Sequence, residues 1–172
     1  MTTELHPLGF FLPENTRLLM LGSFPPPRAR WSMDFYYPNI QNDMWRILGL
    51  IFYGNKDAFL RDKKAFSEEK AKAFCREKGI GIGDTAMEVI RLKANASDKF
   101  LEVVRPIDPE KVLSQIPECV AIVVTGQKAM DTLLSVLPGT EEPKVGFSSE
   151  FSCMGRTMRP VSYTHLTLPT KL

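Results

Sequence analysis

Val120-Ala-Ile-Val-Val124 is an unbroken aliphatic run between polar segments, and it restricts the fold more than any other stretch of the chain. A run of this kind fits a strand covered on both faces, which in practice means a parallel sheet between layers of helix. Leu18-Leu-Met-Leu21 and Ile80-Gly-Ile-Gly-Asp84 repeat the pattern. Longer amphipathic segments separate the three runs, so the expected class is α/β. The expected architecture is a three-layer α/β/α sandwich around a mostly parallel four-stranded sheet.

The helices are marked by their ends. Asp43 to Tyr53 places Trp45, Leu48 and Phe52 at helical spacing, with Gly54 just beyond. Ser67 to Lys78 has a capping serine, acidic residues in its first turn and Gly79 as its stop. Thr85 to Leu92 reads as one or two helical turns, followed by a polar loop at Asn95-Ala-Ser-Asp98. Asp108-Pro109 opens a helix to about Ile116, and Gln127 to Leu137 forms another. Thr157 to Val161 is expected as the last strand. The glycines of Ile80-Gly-Ile-Gly-Asp84 predict close approach of another group to that backbone.

In a parallel sheet the loops after the strands share one edge, where ligands bind. Three such loops stand out: Gly22 to Asn42, Asp84-Thr85, and Thr125-Gly126-Gln127. The first is the most distinctive. Gly22-Ser-Phe-Pro-Pro-Pro is followed by Phe35-Tyr-Tyr-Pro-Asn-Ile-Gln-Asn42 and then Trp45. Aromatics beside amides suit a pocket for a flat, hydrogen-bonding ring.

Several chemistries are excluded by residue type. His6 is the only histidine before the C-terminal tail and is expected in an N-terminal arm, so a Ser–His–Asp or Cys–His mechanism lacks its base. No Gly-x-x-x-x-Gly-Lys-Ser/Thr cradle is present, and the two glycines before Asp84 lack the third of a dinucleotide fingerprint. Cys75, Cys119 and Cys153 form no Cys-x-x-Cys, which argues against a metal or iron–sulfur centre and for reduced core thiols of a cytoplasmic protein. No metal or other cofactor is expected. No segment approaches the roughly 20 apolar residues of a membrane span. The net charge of +2 means that any nucleic-acid contact must come from local basic residues.

What remains is a site of amides, aromatics and at most one carboxylate, suited to binding and polarising a leaving group. Each residue has a structural alternative. Asn42 can cap the following helix, and Asn39 can hold a turn after Pro38. Asp84 can cap a helix or orient water. Arg28, Arg30, Gln127 and Lys128 are ordinary surface residues unless they meet phosphates.

Leu-Gly-Ser-Phe-Pro at 21–25, Phe-Tyr-Tyr-Pro at 35–38 and Asn-Asp-Met-Trp at 42–45 resemble the first motif of the uracil-DNA glycosylase superfamily. They are most similar to its hypoxanthine-DNA (deoxyinosine) glycosylase branch, which is related to the mismatch-specific uracil/thymine-DNA glycosylases. Gly83-Asp84-Thr85, Asn95 to Asp98 and Thr125 to Ala129 follow in the order that branch shows. The resemblance implies one domain over residues 1–160 and a monofunctional, monomeric DNA glycosylase of base excision repair. It would flip hypoxanthine or uracil from double-stranded DNA and hydrolyse its glycosidic bond.

By the same resemblance, Asn42 takes the catalytic role that mismatch-specific relatives give to an asparagine at the position of Phe24, with Asn39 as a second candidate. Tyr37 would stack on the base, while Gly22, Ser23, Phe24 and Asp84 line its pocket. Arg28, Arg30, Gln127 and Lys128 would contact DNA. The alternative is a non-catalytic nucleic-acid or nucleotide-binding α/β domain. Residues 161–172, Val-Ser-Tyr-Thr-His-Leu-Thr-Leu-Pro-Thr-Lys-Leu, resemble a translated sequencing-adapter scar. They are expected to replace a native end, its DNA-pressing loop included, and to lower stability.

Overall fold

Strand β2 (Leu18–Gly22) runs through the interior of a sheet and alternates its side chains between two apolar layers. Leu19 and Leu21 face one layer, and Met20 faces the other. The computed structural model describes residues 2–93, 97–153 and 156–163. Before β2, the N-terminal segment contributes β1 (Thr3–Leu5). After it come α1 (Met44–Tyr53), the short hairpin β3 (Leu60–Asp62) and β4 (Ala65–Phe66), and α2 (Glu68–Lys78). Next are β5 (Ile80–Asp84), β6 (Ala86–Arg91), β7 (Leu101–Pro106), α3 (Pro109–Ser114) and β8 (Ala121–Thr125). The remaining elements are α4 (Gln127–Ser135), β9 (Phe151–Cys153) and β10 (Arg156–Tyr163).

The main sheet has the order β5-β2-β8-β10-β9. Its first four strands are parallel, and β9 pairs antiparallel with β10 at the edge. The four-stranded expectation is therefore met by the parallel strands and extended by a hairpin strand. Helices cover both faces. Val112, Leu113, Ala129, Met130 and Leu133 from α3 and α4 pack on the side of Leu19 and Leu21. Trp45, Leu48, Phe74 and Cys75 from α1 and α2 pack on the side of Met20 and Ile82. Trp45 is fully buried and donates its indole N–H to the Tyr36 carbonyl, 2.9 Å. Cys75, Cys119 and Cys153 are buried thiols.

Helix ends follow the chemistry expected of them. Ser67 Oγ accepts from Lys70 N–H, Asp108 accepts from Lys111 N–H, and Gly54 and Gly79 end their helices in the left-handed region. Among the described residues no helix is long and apolar enough to cross a membrane.

Two expectations are corrected. Thr85 to Leu92 is not helical: β6 pairs antiparallel with both β1 and β7 in a second, three-stranded sheet. Val89 and Ala86 are buried with Phe24 and Leu101, so pairing with β1 and β7 and tertiary burial override local helical preference, with the register shifted around Glu88. The last strand begins at Arg156 and continues past Val161 to Tyr163, each residue from Arg159 pairing with β8. Asn95 and Ala96 of the expected polar loop, and residues 164–172 of the tail, lie outside the described residues.

Candidate active site

In the order β5-β2-β8, the chain leaves β2 to one side for β5 and returns to the other for β8. The C-terminal ends of β2 and β8 therefore flank a switch point, where α/β sheets open a crevice for ligands. Gly22 ends β2, Thr125 ends β8, and the β2–β5 register sets Gly22 opposite Asp84. The three loops singled out by their position after strands meet here.

Gly22 is required by this register. A methyl group built on its Cα would lie 2.7 Å from Asp84 Oδ1, 3.6 Å from Tyr37 Oη and 3.7 Å from Thr125 Oγ1. Three oxygens from three loops thus converge beside one residue that has no side chain. Tyr37 Oη and Thr125 Oγ1 are hydrogen-bonded at 3.0 Å, and Thr125 Oγ1 donates to the Leu21 carbonyl. Tyr37 has φ of 52°, a left-handed conformation that costs a bulky residue of order 1–3 kcal/mol and is held by its surroundings. Burial raises the phenols of Tyr36 and Tyr37 well above their ordinary range, and the Asp84 charge adds to the effect for both, so each remains a neutral O–H. The hydroxyls of Tyr36 and Thr85 are buried without a hydrogen-bond partner among the described residues.

Asp84 does not cap a helix, because β6 follows it. Its Oδ2 instead accepts a 2.6 Å hydrogen bond from His6 Nε2, with the side chains 4% and 7% exposed. Nothing local in the sequence signals this contact, which spans 78 positions. His6 was expected in a peripheral arm; the ladder of β1 on β6 carries it into the site. Asp98 is the second missed residue. It takes a hydrogen bond from Ser23 and lies near enough to feel the charges of Asp84, Lys128 and Arg91. The site holds two carboxylates where the sequence suggested at most one.

Burial keeps the Asp98 carboxyl above the ordinary carboxylate range, partly opposed by Ser23 and with Asp84 adding to the shift. The folded state thus holds the proton more tightly than the unfolded chain. Stability should decline as pH rises from the unfolded value near 3.9 through the raised folded value, and remain lower above it. Asp98→Asn keeps a carbonyl for Ser23 and removes the ionisation. Its Tm is expected to equal or exceed that of the wild type near neutral pH, with the gap closing below about pH 4. A lower Tm at neutral pH that recovers in acid would show that Lys128 and Arg91 outweigh burial.

Phe24 packs with Ala86, Val89 and Leu101 and meets the His6 ring edge-on at 5.4 Å. Asn42 is exposed just before α1; its Oδ1 accepts from Met44 N–H at 2.9 Å, which leaves Nδ2 as a donor. Asn39 Oδ1 accepts from Gln41 N–H, holding the turn after Pro38. Arg28 pairs with Asp34 on the surface and lies 4.3 Å above the Trp31 ring. Arg30 and Asn39 line an open polar groove with Trp31, Arg61 and Lys64. Gln127 donates to both Asp131 and Glu142, so its amide is engaged by carboxylates, and Lys128 stands beside Asp98.

The fold is similar to that of a protein from Methanosarcina acetivorans described as a candidate uracil DNA glycosylase, solved by NMR in solution. The TM-score is 0.55 and the identity 26%, over 74% of this chain and 76% of that one. No family model matches the chain. No curated protein matches it either.

Proposed function

We propose that the chain is a DNA N-glycosylase of the uracil-DNA glycosylase superfamily, which removes a deaminated base, hypoxanthine or uracil, from double-stranded DNA. The observation that carries this reading is the 26% identity over three-quarters of the chain with the Methanosarcina acetivorans protein. The chemistry of the strand-end site agrees with it.

Hydrolysis of the glycosidic bond breaks C1′–N, and the electron pair leaves with the base. The oxygen of water bonds to C1′, and the water's proton ends on the base. Positive charge develops on the sugar and negative charge on the base, so catalysis rests on groups placed against both. Asp84 is a buried carboxylate that would face the cationic sugar or hold the water. Asn42 precedes the cap residue Asp43 and, with Oδ1 fixed by Met44 N–H, would present Nδ2–H to the oxygen of the departing base. Tyr37 would stack on the base, the Gly22–Phe24 backbone would meet its edge, and Asn39 would keep the loop in shape. Arg28, Arg30 and Lys128 would neutralise phosphates, with binding that weakens as salt rises.

The test is release of free base from duplexes that carry one inosine, one uracil opposite guanine or one thymine opposite guanine. Release of hypoxanthine or uracil is expected, and Asn42→Ala should slow it by on the order of 10²–10³, as for loss of a preorganised donor. Tight binding of all three duplexes without release would overturn the reading in favour of a non-catalytic binding domain. Full activity of Asn42→Ala would remove that residue from the mechanism.

A further inference from the structure

The bond from His6 to Asp84 is more informative than a salt bridge, because the hydrogen bonds on the other side of the ring define the proton's position. His6 Nδ1 accepts from Leu8 N–H at 3.2 Å and from Gly9 N–H at 3.1 Å. A nitrogen facing two N–H donors carries no proton. The single proton of the ring is therefore on Nε2, directed at Asp84 Oδ2 over 2.6 Å. A second proton, on Nδ1, would point at both backbone donors, so the geometry selects the neutral imidazole.

The ring is also fixed by packing. Phe24 meets it edge-on, Tyr36 lies tilted against it at 5.8 Å, and the backbone N–H of His6 donates to the Met87 carbonyl at 2.8 Å. The imidazole is thus held on both ring nitrogens and by two aromatic neighbours, with Nε2 aimed at a single carboxylate oxygen. With Oδ2 held, the other oxygen of Asp84 faces Gly22, beside Tyr37 Oη and Thr125 Oγ1.

We infer that His6 is a positioning residue for Asp84: a neutral imidazole in the Nε2–H form that turns the carboxylate so that Oδ1 faces the strand-end crevice. It reverses the familiar arrangement in which a carboxylate orients a histidine. His6 neither touches substrate nor exchanges a proton with it. Its effect on rate rests on the glycosylase reading above; the tautomer does not.

Two variants and one spectroscopic measurement test this. His6→Phe keeps a ring for Phe24 and Tyr36 and removes the donor. His6→Gln keeps an N–H donor near the Nε2 position. Single-turnover base release by His6→Phe should fall on the order of 10²-fold, the effect of misplacing a reacting group by about an ångström. Its affinity for the same duplex should stay within about threefold, and His6→Gln should recover most of the rate. Equal rates in wild type and His6→Phe, equal losses in both variants, or a loss wholly in DNA affinity would each overturn the inference.

Labelling with 15N of the protein with His6 in place supplies a readout that needs no activity and no substitution at the site. With His165→Gln leaving one histidine, long-range 1H–15N spectra should show one protonated and one bare ring nitrogen, with the bare one at Nδ1. A doubly protonated ring, or a proton on Nδ1, would overturn the inference even if base release is robust. Absence of base release from the wild type with the Nε2–H tautomer present would instead count against the glycosylase reading alone.

Discussion

Gly22→Ala should lower base release by on the order of 10²-fold while leaving the fold in place. The new methyl carbon would lie 2.7 Å from Asp84 Oδ1, against an ordinary contact of roughly 3.5 Å, so the carboxylate has to move. Asp84 cannot move alone, because its other oxygen is bound to His6 in a site where both side chains are almost fully buried. Either the His6 bond lengthens or the ends of β2 and β5 separate; both misplace the group proposed to face the sugar. A double-mutant cycle distinguishes this from general damage. In an Asp84→Ala background the obstacle is gone, and Gly22→Ala should slow the reaction little further. Activity of Gly22→Ala within threefold of wild type would mean that the position of Asp84 Oδ1 does not matter to catalysis.

The largest stability effect is expected at Gly83, where a methyl group would lie 2.1 and 2.2 Å from two atoms of the Phe10 ring. An aromatic ring cannot bend away from such a contact; it has to leave its seat on β5. Overpacking of this kind costs about 1–3 kcal/mol. For a chain of this length each kcal/mol lowers Tm by roughly 2–4 °C. Urea unfolding of Gly83→Ala, Phe10→Ala and the double variant should give a double-variant loss clearly smaller than the sum, since removing the ring removes the clash. Additive losses would show that the strain is taken up in the backbone of β5. The consequence also reaches the site: Phe10 follows Gly9, whose N–H donates to His6 Nδ1, so Gly83→Ala should slow base release as well.

The expectation of a close approach at Ile80-Gly-Ile-Gly-Asp84 was legible because a buried strand has little other use for two glycines. Its partner was not legible. Phe10 and Phe11 belong to the N-terminal segment, and Phe11 exchanges both backbone hydrogen bonds with Ile82. Pairing of that kind depends on where a distant segment docks, and nothing at residues 80–84 encodes it. The strand at Ala86–Arg91 was missed for a related reason. Its pattern is short and ambiguous, and its conformation is decided by β1 on one side and β7 on the other. Asp84 lost its role as a helix cap at the same point.

Within the site, the loops were legible and the chemistry of their contacts was not. Gly22, Tyr37, Asp84 and the turn at Thr125 follow strands or sit between aliphatic runs and helix starts, and that pattern is visible in one dimension. His6 carries no such mark. It enters the site because β1 adds to β6, which brings it to Asp84, 78 positions away in the chain. Asp98 likewise reads as part of a polar loop, and only the tertiary fold brings it to Ser23.

The sequence by itself determined the layered α/β class, the ends of the main helices and the edge of the sheet where the loops after the strands gather, because periodicity, capping residues and strand polarity are local and additive. Only the tertiary structure decided that Asp84 is turned by His6 and stands against Gly22 instead of capping a helix. Register between parallel strands and docking of the N-terminal arm are long-range choices, made by which buried surfaces fit, and a donor 2.6 Å from a carboxylate exists only after those surfaces have met.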